Sequence, residues 1–274
     1  MNSLEAAMRV LKLVDQGRPV LRVGEVSRAL GLQKSTVSRL LRAMCEHELI
    51  ERERDGQGYV AGRRALVLAN LYLSAHSLLD LVDTAVDALV EEFEFVGYAG
   101  ALSGPDIVIL RLKHGRYPLR LVQEVGVRVP AWRTAIGQAL LARKPDAEAF
   151  SLIKAQESES DPGAVHARLD AIRQTGVISL VSAIVPGIAA MGAAVADPGR
   201  NEALGFALSY PVSATDEEMR ELMARRVREE AQRIGTRLGD PFWVGLDAKA
   251  EVIEIRDRRH AARRRSSQPL EAIR

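Results

Sequence analysis

The chain has 274 residues, 47% hydrophobic and 27% charged, with a formal net charge of +2. That length suits about two ordinary domains, and the charge content excludes both a membrane protein and a disordered tail. No apolar run approaches the roughly 20 residues of a spanning helix. Met1-Asn2-Ser3-Leu4-Glu5 has no basic stretch leading into an apolar one, so no signal peptide is expected. The single cysteine, Cys45, rules out an internal disulfide and suits a reducing cytoplasm, where it reads as a small core residue.

The charge is unevenly placed. Up to Arg64, basic residues exceed acidic ones by four, the local positive balance that phosphate contacts need. Leu4, Ala7, Met8, Leu11 and Val14 recur at helical spacing with Ser3 as a candidate cap, and Gly17 and Pro19 close that helix. A second short helix, Gly24 to Leu30, buries Val26, Ala29 and Leu30, and Gly31 supplies the left-handed residue of a tight turn.

The third helix carries the strongest signal, in Gln33-Lys34-Ser35-Thr36-Val37-Ser38-Arg39-Leu40-Leu41-Arg42. Val37, Leu40, Leu41 and Met44 form one stripe, while Ser35, Ser38, Arg39 and Arg42 cluster on the opposite side. Such a face suits a major groove, where arginine pairs with guanine and hydroxyls reach bases or phosphates. The free N–H groups at the helix start, near Lys34 and Ser35, favour an anion. Leu49–Arg54 and Gly58–Ala61 flank Asp55-Gly56-Gln57 as a hairpin. Helix, helix-turn-helix and hairpin make a winged helix-turn-helix. Its candidate DNA contacts are Gln33, Lys34, Ser35, Thr36, Ser38, Arg39 and Arg42, with Arg52 and Arg54 on the wing.

The sequence resembles the IclR-type (isocitrate lyase regulator) family of bacterial transcriptional regulators. The resemblance rests on Ser3-Leu4-Glu5-Ala6-Ala7, on Gly31 to Leu41, on Thr134-Ala135-Ile136-Gly137-Gln138-Ala139-Leu140-Leu141-Ala142 and on Val185-Pro186-Gly187-Ile188-Ala189-Ala190. It implies an α+β protein: a winged helix-turn-helix over 1–62, a linker helix over 63–77, a GAF-like effector-binding domain over 78–245 and a charged tail over 246–274. It also implies dimers or dimers of dimers on near-palindromic double-stranded operators, with a small-molecule effector. The sign of regulation stays open.

Beyond the head, Arg63 to Ser77 reads as a helix with apolar cover on several sides. The next helix buries Leu78, Leu81, Val82, Ala85, Val86, Leu89 and Phe93. Strands are expected at Phe95–Leu102, Ile107–Lys113, Leu119–Val125, Val177–Ile184, Ile188–Ala196 and Leu204–Ser209. Helices fall at Thr134–Arg143, Pro145–Gln156 and Pro162–Gln174. A last helix opens with a capping box at Thr215-Asp216-Glu217-Glu218 and ends near Leu238.

By the resemblance, the effector contacts fall on Ala135, Ile136, Leu180, Ile188, Ala190, Ala207 and Ser209. Leu180, Ala190 and Ala207 stand where an organic-acid sensor carries acidic or polar groups. A buried carboxylate without partners costs several kcal/mol, so the expected ligand is apolar or aromatic. The competing reading is a sensor or interaction protein regulated by partner binding, with a vestigial pocket.

No catalytic residues, cofactor or metal are expected. His47, His76, His114, His166 and His260 lack metal-ligand spacing, and no phosphate loop or nucleophile elbow occurs. From Asp247 the tail is charged; Glu251 to Arg265 reads as a helical extension that Ser266-Ser267-Gln268-Pro269 stops.

Overall fold

The structure, a computed structural model, describes residues 2–15, 19–118, 124–156, 161–182, 185–246 and 254–255. It forms two compact units, one of the residues up to Ser77 with Gly126–Arg128, the other of the remainder.

The first unit contains α1 (Ser3–Asp15), α2 (Val23–Leu30), α3 (Lys34–Glu46), β1 (Ile50–Arg52), β2 (Tyr59–Ala61) and α4 (Arg63–Ala75). Asn2, and not Ser3, caps α1: the Glu5 N–H donates to Asn2 Oδ1 at 2.7 Å. The buried face of α1 is Ala6, Val10 and Leu13, whereas Leu4 and Met8 are 67% and 44% exposed. Both stripes fit a helical period; packing against α2 and α3 selects the first. Ala29 likewise lies outside, leaving Val26 and Leu30 as the buried pair of α2. Gly31, at φ +67°, closes that helix and returns its N–H to the Ser27 carbonyl. Val10, Leu21, Val26, Val37, Leu41, Met44, Ile50 and Tyr59 form this unit's core.

The corner between head and α4 is tightly tied. The Arg64 N–H donates to the Glu48 carbonyl at 3.1 Å and the Gly62 N–H to the Leu49 carbonyl at 3.0 Å. Glu48 sits at φ +59°, and its carboxylate pairs with Arg63 at 3.0 Å. A side chain on Gly62 would place Cβ 2.2 Å from the Glu48 oxygen, so only glycine fits there. None of the α4 side chains is buried; Leu66, Leu68 and Leu71 are all more than half exposed.

The second unit is a seven-stranded sheet with helices on both faces. Its strands are β3 (Val96–Ser103), β4 (Asp106–Lys113), β5 (Arg128–Pro130), β6 (Val177–Val181), β7 (Ile188–Asp197), β8 (Glu202–Pro211) and β9 (Glu254–Ile255), in the order β5-β4-β3-β8-β7-β6-β9. The helices are α5 (Ser77–Phe93), α6 (Ala135–Ala142), α7 (Asp146–Lys154), α8 (Pro162–Thr175), α9 (Glu217–Leu238) and α10 (Pro241–Gly245). The strand expected at Leu119–Val125 falls mostly outside the described residues; Glu124 and Val125 are not in a strand, and β5 begins three residues later. Along α5, Leu79 and Val90 are buried with the predicted set, while Leu81 and Phe93 lie at its margin. At the start of α9 the cap is Asp216, which accepts from the Met219 N–H at 2.8 Å. The Thr215 hydroxyl instead turns back to Val212.

One face of the sheet holds α5 and α9, joined by Arg226 to Glu92 at 2.8 Å. Gly97 of β3 lets Val86 and Val90 of α5 pack directly on the backbone. The other face holds α6. At Gly205 a Cβ would lie 2.7 Å from Ile136 Cγ2 of α6, so that glycine lets α6 lie close on β8; at Gly192 one would lie 2.9 Å from Ala207 Cβ on the neighbouring strand.

The C-terminal end of α6 is locked by two arginines. Arg173 of α8 donates to the carbonyls of Ala142 and Lys144 at 2.9 and 3.1 Å. Arg143 pairs with the fully buried Asp240 and donates to the Ala194 carbonyl. Asp240 also accepts from the N–H groups of Ala196 and Phe242, and Trp243 Nε1 donates to the Ala194 carbonyl at 2.8 Å. This α10 clamp has no sequence periodicity to announce it.

Removing one partner of a buried ion pair costs about 3–5 kcal/mol because the other charge stays buried. Asp240→Ala is therefore expected to lower the calorimetric transition of the larger unit markedly. An unchanged transition temperature would show that the clamp contributes nothing.

Candidate nucleic-acid interface and ligand pocket

In the head, Gln33 precedes α3 in extended conformation without a side-chain cap bond. The helix therefore opens with first-turn N–H groups that no side chain of its own covers. Gln33, Lys34, Ser35, Thr36, Arg39 and Arg42 are exposed and Ser38 is half-buried. Opposite them Val37, Leu41 and Met44 are buried, with Leu40 packed at the edge of the same core. Among the described residues, neither Arg39 nor Arg42 has a carboxylate within ion-pair distance. The guanidinium and hydroxyl face is thus held out by the core and left uncommitted.

The wing treats its two arginines differently. Its strands pair Ile50 with Ala61, Glu51 with Val60 and Arg52 with Tyr59. Leu21 adds a backbone bridge on the far side of Tyr59, at 2.8 and 3.0 Å. Arg52 lies over the Tyr59 ring at 4.9 Å and donates to the Gly56 carbonyl at 3.1 Å. These contacts tie it to the turn while it stays exposed. Arg54 stands exposed at the tip beside Gly56, whose φ is +74°. Cys45 is half-buried against the head core, and burial pushes its thiol above the ordinary value despite the Arg52 charge.

In the larger unit one cavity of about 80 Å³ opens between the start of α6 and the sheet. All seven positions singled out by the resemblance line it: Ala135, Ile136, Leu180, Ile188, Ala190, Ala207 and Ser209. The sheet register explains the convergence. Leu180 pairs with Ala190 and Ala190 with Ser209, while Ala207 pairs with Tyr98, so β6, β7, β8 and β3 present one surface. Thr134 caps α6 by accepting from the Gly137 N–H at 3.0 Å, which turns the first N–H groups of the helix toward this space.

Sequence reasoning missed Tyr98, Ile107, Ile109, Arg133 and Val185, which also line the cavity. Tyr98 is the informative omission. Burial pushes its phenol well above the ordinary tyrosine value, opposed by a hydrogen bond with Ser209. Its place on an otherwise apolar strand gave no signal, because a tyrosine at strand spacing reads as core. The lining is therefore mostly apolar, with a buried hydroxyl pair at Tyr98 and Ser209, the hydroxyls of Thr134 and Ser182, and the exposed Arg133. Among the described residues, no group of three His, Cys, Asp or Glu side chains is placed to hold a metal ion. No single described helix is long and apolar enough to cross a membrane.

Comparison with known proteins agrees with this arrangement. Residues 3–54 match the IclR helix-turn-helix domain, and residues 70–236 match the Bacterial transcriptional regulator IclR C-terminal. The chain is 26% identical over 244 residues to the glycerol operon regulatory protein of Streptomyces coelicolor, covering 86% of this chain and 96% of that one. It is 28% identical over 173 residues to the HTH-type transcriptional regulator TtgV of Pseudomonas putida, covering 61% and 66%. The fold is shared with an IclR transcriptional regulator from Silicibacter sp. (TM-score 0.76, 20% identity, 87% and 96% coverage). It is also shared with an IclR homologue from Microbacterium hydrocarbonoxydans complexed with 4-hydroxybenzoate (TM-score 0.71, 19% identity, 87% and 99% coverage). With both family domains matched in order over most of its length, the chain belongs to the IclR family of transcriptional regulators.

Proposed function

We propose that the protein binds a near-palindromic operator as a dimer or dimer of dimers, with α3 of each head in a major groove. The observation that carries this reading is the exposed α3 face, where, among the described residues, Arg39 and Arg42 have no carboxylate within ion-pair distance and stand beside Ser35 and Ser38. Gln33, Lys34 and Thr36 flank the helix start, where N–H groups favour a phosphate. Arg54 makes the wing contact to the backbone, and Arg52 supports it by fixing the turn. Functionally, 1–62 is the DNA-binding head, 63–77 the linker and self-association helix, and 78–245 the effector domain. The exposed apolar α4 favours this division, since a contiguous apolar surface of that kind marks an interaction site.

The effector of this reading is a small apolar or aromatic molecule in the cavity at the start of α6. Its polar group bonds with the Tyr98 and Ser209 hydroxyls, and any anionic group lies at the α6 amides and Arg133. The cavity is smaller than the roughly 150 Å³ apolar space that admits benzene, so a ring enters only as the rim around Val185 gives way. That a structural relative holds 4-hydroxybenzoate supports the aromatic class. Ligand binding then favours one arrangement of the paired heads by its differential affinity.

Three measurements test the reading. Arg39→Ala is expected to weaken binding to duplexes from the gene's own upstream region by about 1–3 kcal/mol, with folding unchanged. Equal affinity would remove α3 from the groove. In a calorimetric screen, aromatic acids such as 4-hydroxybenzoate are expected to bind, and Ser209→Ala to weaken them by about 0.5–1.5 kcal/mol. Tight binding of glyoxylate or pyruvate with no aromatic binder would refute the aromatic assignment. Replacing Leu68 and Leu71 by glutamate is expected to lower the mass seen by light scattering; an unchanged mass would place self-association elsewhere.

A further inference from the structure

The sheet of the larger unit does not end at β6. Glu254 and Ile255 form β9 and pair parallel to it, Ser179 with Glu254 and Leu180 with Ile255. At these two residues a strand replaces the expected helix; the rest of Glu251–Arg265 lies outside the described residues. The local sequence Val252-Ile253-Glu254-Ile255 is rich in β-branched residues, which suit a pleated strand better than a helix turn. Without β9, β6 would present a row of unpaired N–H and C=O groups, a template for any extended chain. The β6 residues Val177, Ile178, Ser179 and Leu180 are all buried, so this edge belongs to a well-packed strand.

We propose that the outer edge of β6 is a strand-docking surface whose occupant is this chain's own C-terminal segment around Glu254–Ile255, held in cis. The recognition is main-chain pairing. So short a pairing holds because the chain tethers it: a linked segment acts at an effective concentration of about millimolar. The position is not neutral with respect to the ligand cavity. Leu180 pairs with Ile255 on one side and Ala190 on the other, and Ala190 pairs with Ser209. Leu180, Ala190 and Ser209 all line the cavity. The docked segment therefore continues the same cross-strand row, and it shields the edge from a second copy's strand.

The test uses the full-length protein and its double variant Glu254→Pro, Ile255→Pro, which a ladder cannot accommodate. Hydrogen exchange is expected to show edge-facing amides of β6 protected in the wild type and roughly tenfold less protected in the variant. Protection in the wild type is expected to be independent of protein concentration. Circular dichroism of both proteins reports that the fold is intact. A synthetic peptide spanning residues 250–258, supplied at about millimolar concentration to match the tether, is expected to restore protection in the variant and to leave the wild type unchanged. Identical β6 exchange in the two proteins, or no rescue by the peptide, overturns the proposal. So does wild-type protection that is lost on dilution, which would assign the edge to a second copy. These outcomes are read without DNA or effector and stand apart from the tests of operator and ligand binding.

Discussion

The larger unit depends on how closely α6 approaches the sheet. Gly205 presents no side chain to that helix, so Ile136 sits directly over β8. Were the helix lifted by one methyl layer, the space beneath its first turn would open to solvent and the α8 and α10 contacts would lose their register. The contact is fixed from both ends. Thr134 caps the first turn, while Arg143 and Arg173 satisfy groups at the last. A short helix of eight residues gains little from its own hydrogen bonds; its position comes from close packing and from charges that meet buried partners.

That arrangement explains the character of the cavity. A helix pressed on small residues leaves only the space beyond its N-terminus, bounded by strands whose inward positions are Leu180, Ala190, Ala207 and Ser209. The walls are apolar because they are also core. Tyr98 and Ser209 satisfy each other there, as buried hydroxyls must in an environment without water. A ligand with a polar group competes with that pair, and one without leaves it intact.

Much of this was legible in the sequence. The head was readable because short-range chemistry dictates it: Gly31 needs a left-handed residue, and the α3 stripe separates Val37 and Leu41 from Arg39 and Arg42. The strands β7 and β8 were readable as apolar runs at Ile188–Ala196 and Leu204–Ser209, but not their pairing. What escaped depends on long-range pairing. The buried face of α1 was ambiguous because two stripes share one period, and only α2 and α3 decide between them. The Asp240 clamp joins residues far apart in the chain, and a lone aspartate before Pro241 advertises only a helix cap. Arg52 reads as a phosphate contact by charge, and its place opposite Tyr59 adds a role in the turn that the sequence did not announce.

The corner at Glu48 has a mechanical meaning. Backbone bonds from Gly62 and Arg64, the Arg63 ion pair and the bare α-carbon of Gly62 weld the first turn of α4 to the residues that follow α3. There is no slack joint at that point. A torque delivered along α4 is therefore passed to the end of α3 without loss, so the helix is joined to the head as a rigid crank and not as a flexible leash.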